Sequence, residues 1–337
     1  MTAAVTTQPE KRPWRRLVLA TAAFIILPLV PHIRVILPIE QTFLLVIPAV
    51  AACALAGWRN GERVAFAAIW TVVAVWMLAQ SAGPTGSSYD FMARGWALLL
   101  AACFGLSAVL ATGMAFFPRA IASVGAATVI AFAVSAGRPG GVEKIAEVAR
   151  TEFARRNAES LASLQRTSES REWKELTEKS PTLQASVASS EAQLRSIPKY
   201  SSSLVAAFLA LESLAALALA WTYYHRFATI PVGPPLGRLK DFRFNDQLIW
   251  GLAVGATIFL LPPFIEGRSA GLNLLVFFGA LYVLRGYGIL TWMTKGGALL
   301  AALVFATLLA WPLVGILALG LGLGDTWLDW RKNAQSI

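Results

Sequence analysis

The chain has 337 residues, of which 56% are hydrophobic and only 14% are charged. Soluble globular domains carry roughly 25% charged residues, so the composition argues against a soluble fold and favours a protein surrounded by a lipid bilayer. The formal net charge of +10 could indicate nucleic-acid binding, but the basic residues are scattered, as they are in the cytoplasmic loops of membrane proteins. We therefore expect a polytopic membrane protein with no nucleic-acid partner.

Runs of about twenty apolar residues predict membrane-spanning helices. Basic residues precede the first run, as in a signal peptide, but no small-residue cleavage site follows it, so we expect a retained span. Pro28, Pro31 and Pro38 should kink this span or end it early. The runs predict an all-α transmembrane bundle of eight or nine spans. The nine candidates are residues 17–37, 43–58, 64–82, 91–117, 120–136, 203–224, 248–265, 272–293 and 298–320.

The basic residues between the runs predict the orientation of the spans. If the N-terminal cluster stays in the cytoplasm, Arg59, Arg63 and Arg119 also fall inside, and the segment after the fifth run falls outside. Six successive spans obey this rule. Nine spans would place Arg331 and Lys332 outside, against the rule. Either one late apolar segment is re-entrant or one of the divisions is wrong.

A polar segment, residues 137–200, interrupts the apolar runs and carries nine of the 19 acidic and eleven of the 29 basic residues. It opens with the helix-breaking residues 137–141, and apolar residues at helical spacing follow. Ser180 and Pro181 form a second helix start, an N-cap followed by proline. We predict an extracytoplasmic helical hairpin whose apolar stripes pack on each other, lie on the membrane surface or meet another protein.

A second polar segment, residues 227–246, is rich in proline, glycine and basic residues, which predict a stiff, non-helical loop. It is either a plain cytoplasmic linker or a docking surface. The expected regions are an N-terminal membrane block (1–136), the hairpin (137–200), a sixth span (201–226), the loop (227–246) and a C-terminal membrane block (247–337).

Residues that usually carry catalysis or bind metals are sparse. His32 and His225 lie at membrane edges, and Cys53 and Cys103 lie in apolar runs with no histidine or second cysteine nearby. No glycine-rich phosphate-binding motif of the nucleotide-binding type occurs. We therefore expect no enzyme activity, metal site or cofactor.

Glu212 and Arg285 lie away from the ends of their predicted spans, where a charge at mid-bilayer costs about 3 kcal/mol on insertion scales. Glu212 lies near the middle of the sixth span and Arg285 in the inner half of the eighth. Both spans run from outside to inside, and the two depths differ by about 6 Å of helical rise, so the side chains could pair. Asn273 and Tyr282 could add polar contacts. This group is either a structural ion pair, or a snorkelling arginine, or a functional polar site.

The C-terminal motif of Gly324, Asp325, Asp329 and Arg331 ends the last apolar run. Asp325 and Asp329 share one helical face if the helix continues, and Arg331 is close enough in sequence to neutralise them. We expect this motif to be structural.

The chain from about residue 211 to 333 resembles the YybS-like family of uncharacterised bacterial membrane proteins. The resemblance rests on Leu211-Glu212-Ser213 in a long span, a proline-bearing inner loop, Asn273 through Arg285-Gly286, and the ending from Gly322 to Lys332. The N-terminal half is similar only in layout, and its first span is shorter and broken by proline. The resemblance implies a multi-pass protein of the bacterial inner membrane. The arrangement of spans in this family is similar to that of the substrate-binding subunits of energy-coupling-factor transporters.

Two functions stand as alternatives. A substrate-binding or transport-related membrane subunit predicts a polar cavity between spans, near Glu212 and Arg285. A structural or assembly protein would act on an unidentified protein partner through the hairpin or the basic loop. It predicts a dry bundle with an apolar stripe exposed on the hairpin.

Overall fold

The computed structural model describes residues 14–80, 87–170, 173, 180, 192, 203–294 and 297–333, and in these ranges the regular structure is entirely helical. The helices are α1 Trp14–Ile26, α2 Pro31–Arg34, α3 Phe43–Arg59, α4 Val64–Ala79, α5 Ser88–Leu110, α6 Phe116–Ala136, α7 Gly141–Glu169, α8 Val205–Phe227, α9 Ile249–Leu260, α10 Arg268–Met293, α11 Ala298–Leu309, α12 Trp311–Leu328 and α13 Trp330–Asn333.

Five of these helices, α5, α6, α8, α10 and α12, are long and apolar enough to cross a membrane. Shorter apolar helices cover Phe43–Arg59, Val64–Ala79, Asp246–Leu260 and Ala298–Thr307. A bilayer core of about 30 Å needs about 20 helical residues. The five long helices meet this length, whereas the shorter apolar helices do not. The predicted helical membrane protein is confirmed, whereas the count of eight or nine spans stays a prediction.

Many large apolar side chains lie on the outside of the bundle. Val72 and Trp76 on α4, Phe305 on α11 and Ile316 on α12 are all exposed. A soluble protein rarely leaves so many large apolar side chains exposed to water. These faces are suited to contact with lipid chains.

The prolines of the first apolar run end its helix early, as expected. Helix α1 stops at Ile26, a 3₁₀ turn covers Leu27–Leu29, and α2 is only one turn long. Residues 35–42 then lead to α3 without regular helix, because proline removes a backbone donor and clashes with the preceding turn. This irregular stretch becomes part of the candidate site.

Helices α3, α4, α5, α6 and α8 form the first half of the bundle around an aromatic core. The ring of Trp221 on α8 lies 5.7 Å from that of Phe104 and 6.3 Å from that of Phe116. A Cβ atom on Gly105 would lie 2.8 Å from the Cβ of Ala52, so glycine allows α5 to approach α3 closely. Small residues at such crossings are typical of helix packing in membranes.

Helices α9, α10 and α12 form the second half, and glycines again lie at their crossings. A Cβ on Gly271 of α10 would lie 2.7 Å from the backbone nitrogen of Phe259 on α9. A Cβ on Gly286 would lie 1.7 Å from the carbonyl oxygen of Ala318 on α12, and one on Gly322 would lie 2.0 Å from that of Tyr282. The order of these contacts makes α10 and α12 antiparallel.

The last apolar run divides at Ala310 into α11 and α12, so one of the sequence divisions was wrong. After α12, Arg331 donates to the carbonyl oxygens of Lys240 and Phe242 at 2.9 and 3.1 Å. Arg331 therefore lies beside the loop that the charge rule assigns to the cytoplasm.

The first half of the predicted hairpin forms α7. Its second half falls outside the described residues apart from Trp173, Ser180 and Ala192, so the hairpin stays a prediction. On α7, Ala149, Phe153, Arg156, Asn157 and Ser160 are buried. The ring of Phe153 lies 6.3 Å from that of Tyr89 on α5. This stripe thus packs on the chain's own bundle.

Because α10 and α12 cross closely at Gly286, we expect any side chain at this position to destabilise the protein. Gly286→Ala should lower the free energy of unfolding by about 1–3 kcal/mol because the methyl group would force the helices apart. Gly279, also on α10, has no atom within 4 Å of the site of a Cβ. Gly279→Ala is therefore the matched control and should be neutral or stabilise the helix by up to about 1 kcal/mol. Thermal unfolding in detergent measures both. Equal stability of the two variants would contradict this packing.

Candidate functional site

The predicted pair of Glu212 and Arg285 is wrong, because each side chain has other partners. The Glu212 carboxylate accepts a hydrogen bond from the backbone N–H of Ile39 at 3.1 Å. Arg285 binds Asp325 and Asp246 instead. Similar depth along two spans does not determine which face of each helix meets the other. The two residues consequently belong to two separate polar sites.

The first site, here called the outer clamp, consists of residues 37–40, Tyr89, Arg156 and Glu212. It lies at the end of the bundle that the charge rule assigns to the extracytoplasmic side. The Tyr89 hydroxyl donates to the carbonyl oxygen of Pro38 at 2.6 Å, and Arg156 donates to that of Leu37 at 2.9 Å. Helices α5, α7 and α8 thus hold one short irregular segment by its backbone.

Arg156 is the centre of the charges in the outer clamp. It is only 4% exposed, and its Nε lies 2.8 Å from Glu152 and 3.0 Å from Glu40. Its guanidinium also stacks 5.0 Å from the ring centre of Tyr89, a favourable cation–π arrangement. Hydrogen bonds from Arg155 and then from Arg156 outweigh the effect of burial and lower the pKa of Glu152 to about 2. Glu152 therefore stays ionised and holds Arg156, on the same helix, in position to bind the segment.

Two buried acceptor oxygens, one in the outer clamp and one on Asn157, the residue after Arg156, have no donor. Among the described residues, neither Oε1 of Glu212 nor Oδ1 of Asn157 has a hydrogen-bond partner. Glu212 is only 7% exposed, and the next residue, Ser213, accepts from the Trp96 indole N–H at 2.9 Å. A buried polar atom without a partner is unfavourable. The arrangement can bind a molecule that supplies N–H or cationic donors.

The second site, here called the inner network, joins Arg285, Arg331, Asp246 and Asp325. Arg285 donates to the Asp325 carboxylate at 2.9 Å and to Asp246 at 2.6 Å. Arg331 donates to the same Asp325 oxygen at 2.9 Å, so one fully buried carboxylate serves two buried arginines. Such sharing satisfies charges that would otherwise be costly in an apolar bundle.

The other predicted site residues lie in different places. Tyr282 is buried beside the inner network, with its ring 5.0 Å from that of Phe244. Asn273 lies at the opposite end of α10, where it accepts from the Ala207 N–H at 2.8 Å and donates to the Ser203 carbonyl at 2.6 Å. Asn273 therefore joins α10 to the start of α8 and contacts neither site.

The C-terminal motif is partly as expected. Asp325 and Arg331 do pair, but α12 ends at Leu328 and Asp329 adopts a left-handed conformation with φ of 39°. The predicted shared helical face of Asp325 and Asp329 is therefore wrong. Asp329 pairs with Arg243 at 2.5 Å instead, and the Trp330 ring folds back to within 3.4 Å of the site of a Cβ on Gly324.

The basic loop between the membrane blocks is bound to the bundle, contrary to the plain-linker interpretation. Glu62, which is buried, accepts from the N–H of Ile230 at 2.6 Å. Trp221 donates to the Pro234 carbonyl at 3.1 Å, and the Tyr224 hydroxyl accepts from the Val232 N–H at 2.9 Å. Burial alone would raise the pKa of Glu62, but hydrogen bonds from three backbone N–H groups outweigh it and hold that pKa below its ordinary range.

The comparison with known families gives a match to the family of predicted membrane proteins called DUF2232, over residues 18–326. The chain belongs to the DUF2232 family. No curated protein and no solved structure matches it. The family description gives a membrane protein and no activity, so the resemblance to the YybS-like family and to energy-coupling-factor subunits stays a prediction.

The inner network predicts that Asp325 is critical for the stability of this DUF2232 protein. Asp325→Asn would leave Arg331 buried without a counter-charge and Arg285 with only the half-exposed Asp246, and breaking a buried pair typically costs about 3–5 kcal/mol. Asp246 also binds Arg285, but its side chain is 58% exposed, so Asp246→Asn should cost at most about 1 kcal/mol. Unfolding in detergent measures the difference. An equal loss in both variants would show that the shared carboxylate does not carry the network.

Proposed function

We propose that this protein is a non-enzymatic, substrate-binding subunit of the bacterial inner membrane that binds a small cationic solute at Glu212. The observation that carries the proposal is the buried Glu212 carboxylate, in which one oxygen accepts from Ile39 and the other has no donor among the described residues. The solute would enter from the extracytoplasmic side, which the outer clamp faces in the orientation predicted by the charge rule.

The energetics of Glu212 support a binding role. A carboxylate within a span costs about 3 kcal/mol on insertion scales, and one backbone N–H satisfies only part of its acceptor capacity. Arg156 attracts the carboxylate electrostatically, but it donates its hydrogen bonds to Leu37 and Glu152. A ligand with an ammonium, guanidinium or similar N–H group would complete the coordination of Glu212.

The contacts of residues 37–40 suggest how access is controlled. Glu212 binds the N–H of Ile39, while Tyr89 and Arg156 hold the adjacent carbonyl groups. A ligand that reaches Glu212 has to pass or displace this segment. Because α7 provides Arg156, a movement of α7 would open the segment. Coupling of this kind suits a binding subunit that delivers its solute to a partner protein.

The alternative of an assembly protein is not favoured by a specific observation. It expects an apolar stripe exposed on the hairpin, but in the described first half Ala149 and Phe153 are buried against the bundle, and Val142 is exposed. The basic loop is likewise bound to the bundle through Ile230, Val232 and Pro234.

A ligand panel tests the proposal directly. Small amines, guanidines and basic amino acids should include at least one compound that raises the thermal unfolding temperature of the detergent-solubilised protein, by about 2–4 °C for each kcal/mol of binding energy. Glu212→Gln keeps the shape of the side chain but removes its charge, and should abolish that shift. Glu147 is exposed on α7, so Glu147→Gln is the matched control and should respond as the wild type does. A panel without any stabilising cation, or a shift that persists in Glu212→Gln, would refute this function.

A further inference from the structure

A buried arginine at the other end of the bundle lacks a counter-charge. Arg119 lies in the first turn of α6 and has no exposed surface (0%). Among the described residues, no carboxylate lies within salt-bridge distance of it; its titratable neighbours are Cys53 and Tyr224. A buried cation without a partner anion is strongly unfavourable in a low-dielectric environment.

The contacts of Arg119 satisfy only one of its three nitrogens. Nη2 donates to the carbonyl oxygen of Ala111 at 2.6 Å, and the guanidinium lies 4.7 Å from the ring centre of Trp221. Nε and Nη1 have no acceptor among the described residues. Three N–H groups of a permanently charged side chain are therefore unsatisfied.

The position of Arg119 in its helix adds to the positive potential. The N-terminus of an α-helix carries roughly half a positive charge and unpaired backbone N–H groups. In α6 these groups belong to Phe116 and Phe117, because Pro118 has no N–H and the N–H of Arg119 donates to Ala115. An acidic residue is usual in the first turn, but α6 has none there, and its N-cap residue Ala115 provides no side-chain hydrogen bond. An arginine in this turn has the unfavourable sign for the helix dipole. Both positive groups would be stabilised by the same anion.

A short strap, residues 230–234, closes over the guanidinium. A Cβ on Gly233 would lie 3.4 Å from both terminal nitrogens of Arg119. Gly233 has a φ of +73°, a conformation that glycine adopts without strain. The strap is held by Glu62, Tyr224 and Trp221 through its backbone. An occupant would therefore be enclosed and shielded from water.

We propose that Arg119 and the N-terminal turn of α6 form a closed binding site for an oxyanion of the phosphate type. Guanidinium groups and helix N-termini are both common binding elements for phosphate. In the predicted orientation the site lies at the cytoplasmic end of the bundle, where both free phosphate and the phosphate of a lipid headgroup are within reach. This site is independent of Glu212, which lies at the opposite end of the bundle.

The test compares anion responses in dodecyl maltoside, a detergent without phosphate. Either inorganic phosphate at constant ionic strength or phosphatidylglycerol should raise the unfolding temperature of the wild type by about 4 °C. The first response identifies free phosphate as the occupant, and the second identifies a lipid headgroup. Arg119→Gln should show neither shift and, without added anion, should unfold no lower than the wild type, because it removes an unpaired buried charge.

Arg59, exposed in the last turn of α3, provides the matched control, and Arg59→Gln should respond as the wild type does. If Arg119→Gln does not fold, Arg119→Lys keeps the charge but loses the planar donor array, and should need about ten times more anion for the same shift. No shift in the wild type with either addition would overturn the proposal. So would an equal shift in the wild type and the Arg119 variant.

Discussion

The fold depends on the pairing of buried charges with the backbone of connecting segments. Glu212 binds the N–H of Ile39 and Glu62 that of Ile230, while Arg156 binds the carbonyl of Leu37. A charge in an apolar bundle is tolerated only where hydrogen bonds replace its hydration. Each of these side chains therefore fixes a segment that would otherwise be a loop. Irregular backbone at the ends of the bundle becomes ordered because it satisfies these charges.

The same constraint distinguishes the two ends of the bundle. At the end predicted to be extracytoplasmic, Glu212 and Asn157 keep acceptor oxygens without donors, whereas at the other end Arg119 keeps donors without acceptors. By contrast, Asp325 in the inner network is bound by both Arg285 and Arg331. Oδ1 of Asp325 and Nε of Arg331 also have no hydrogen-bond partner among the described residues, but both side chains contact an opposite charge. Glu212 and Arg119 form no salt bridge among the described residues, and they are therefore the better candidates for ligands. Their opposite signs imply ligands of opposite charge.

Much of the fold could be predicted from the sequence, because apolar runs and prolines act locally. The helices from α3 to α6 and α8 to α10 fall within or close to the predicted runs, α1 ends where prolines begin, and α7 starts after the predicted break. The division of the last run at Ala310 was missed although Pro312, in the first turn of α12, is a signal for the start of a new helix.

The candidate sites could be predicted only in part. Glu212, Arg285, Asp325 and Arg331 were identified as charges in an apolar context, but the partner of Glu212 is a backbone N–H. Backbone groups are the same at every residue, so no side-chain pattern indicates this contact. Arg119 was interpreted only as a topology signal, since nothing in the sequence shows that the chain buries it. In residues 37–40, Pro38 was the available sequence signal that the backbone is irregular and can be bound by side chains.

Hydrogen exchange at the amides of Ile39 and Ile230 tests the central claim most directly. Both lie in irregular segments, yet each amide donates to a buried carboxylate, so both should exchange slowly in the detergent-solubilised wild type. Glu212→Ala should accelerate exchange at Ile39 and leave Ile230 protected, and Glu62→Ala should do the reverse. Fast exchange at both amides in the wild type, or protection that survives the loss of its carboxylate, would contradict the account.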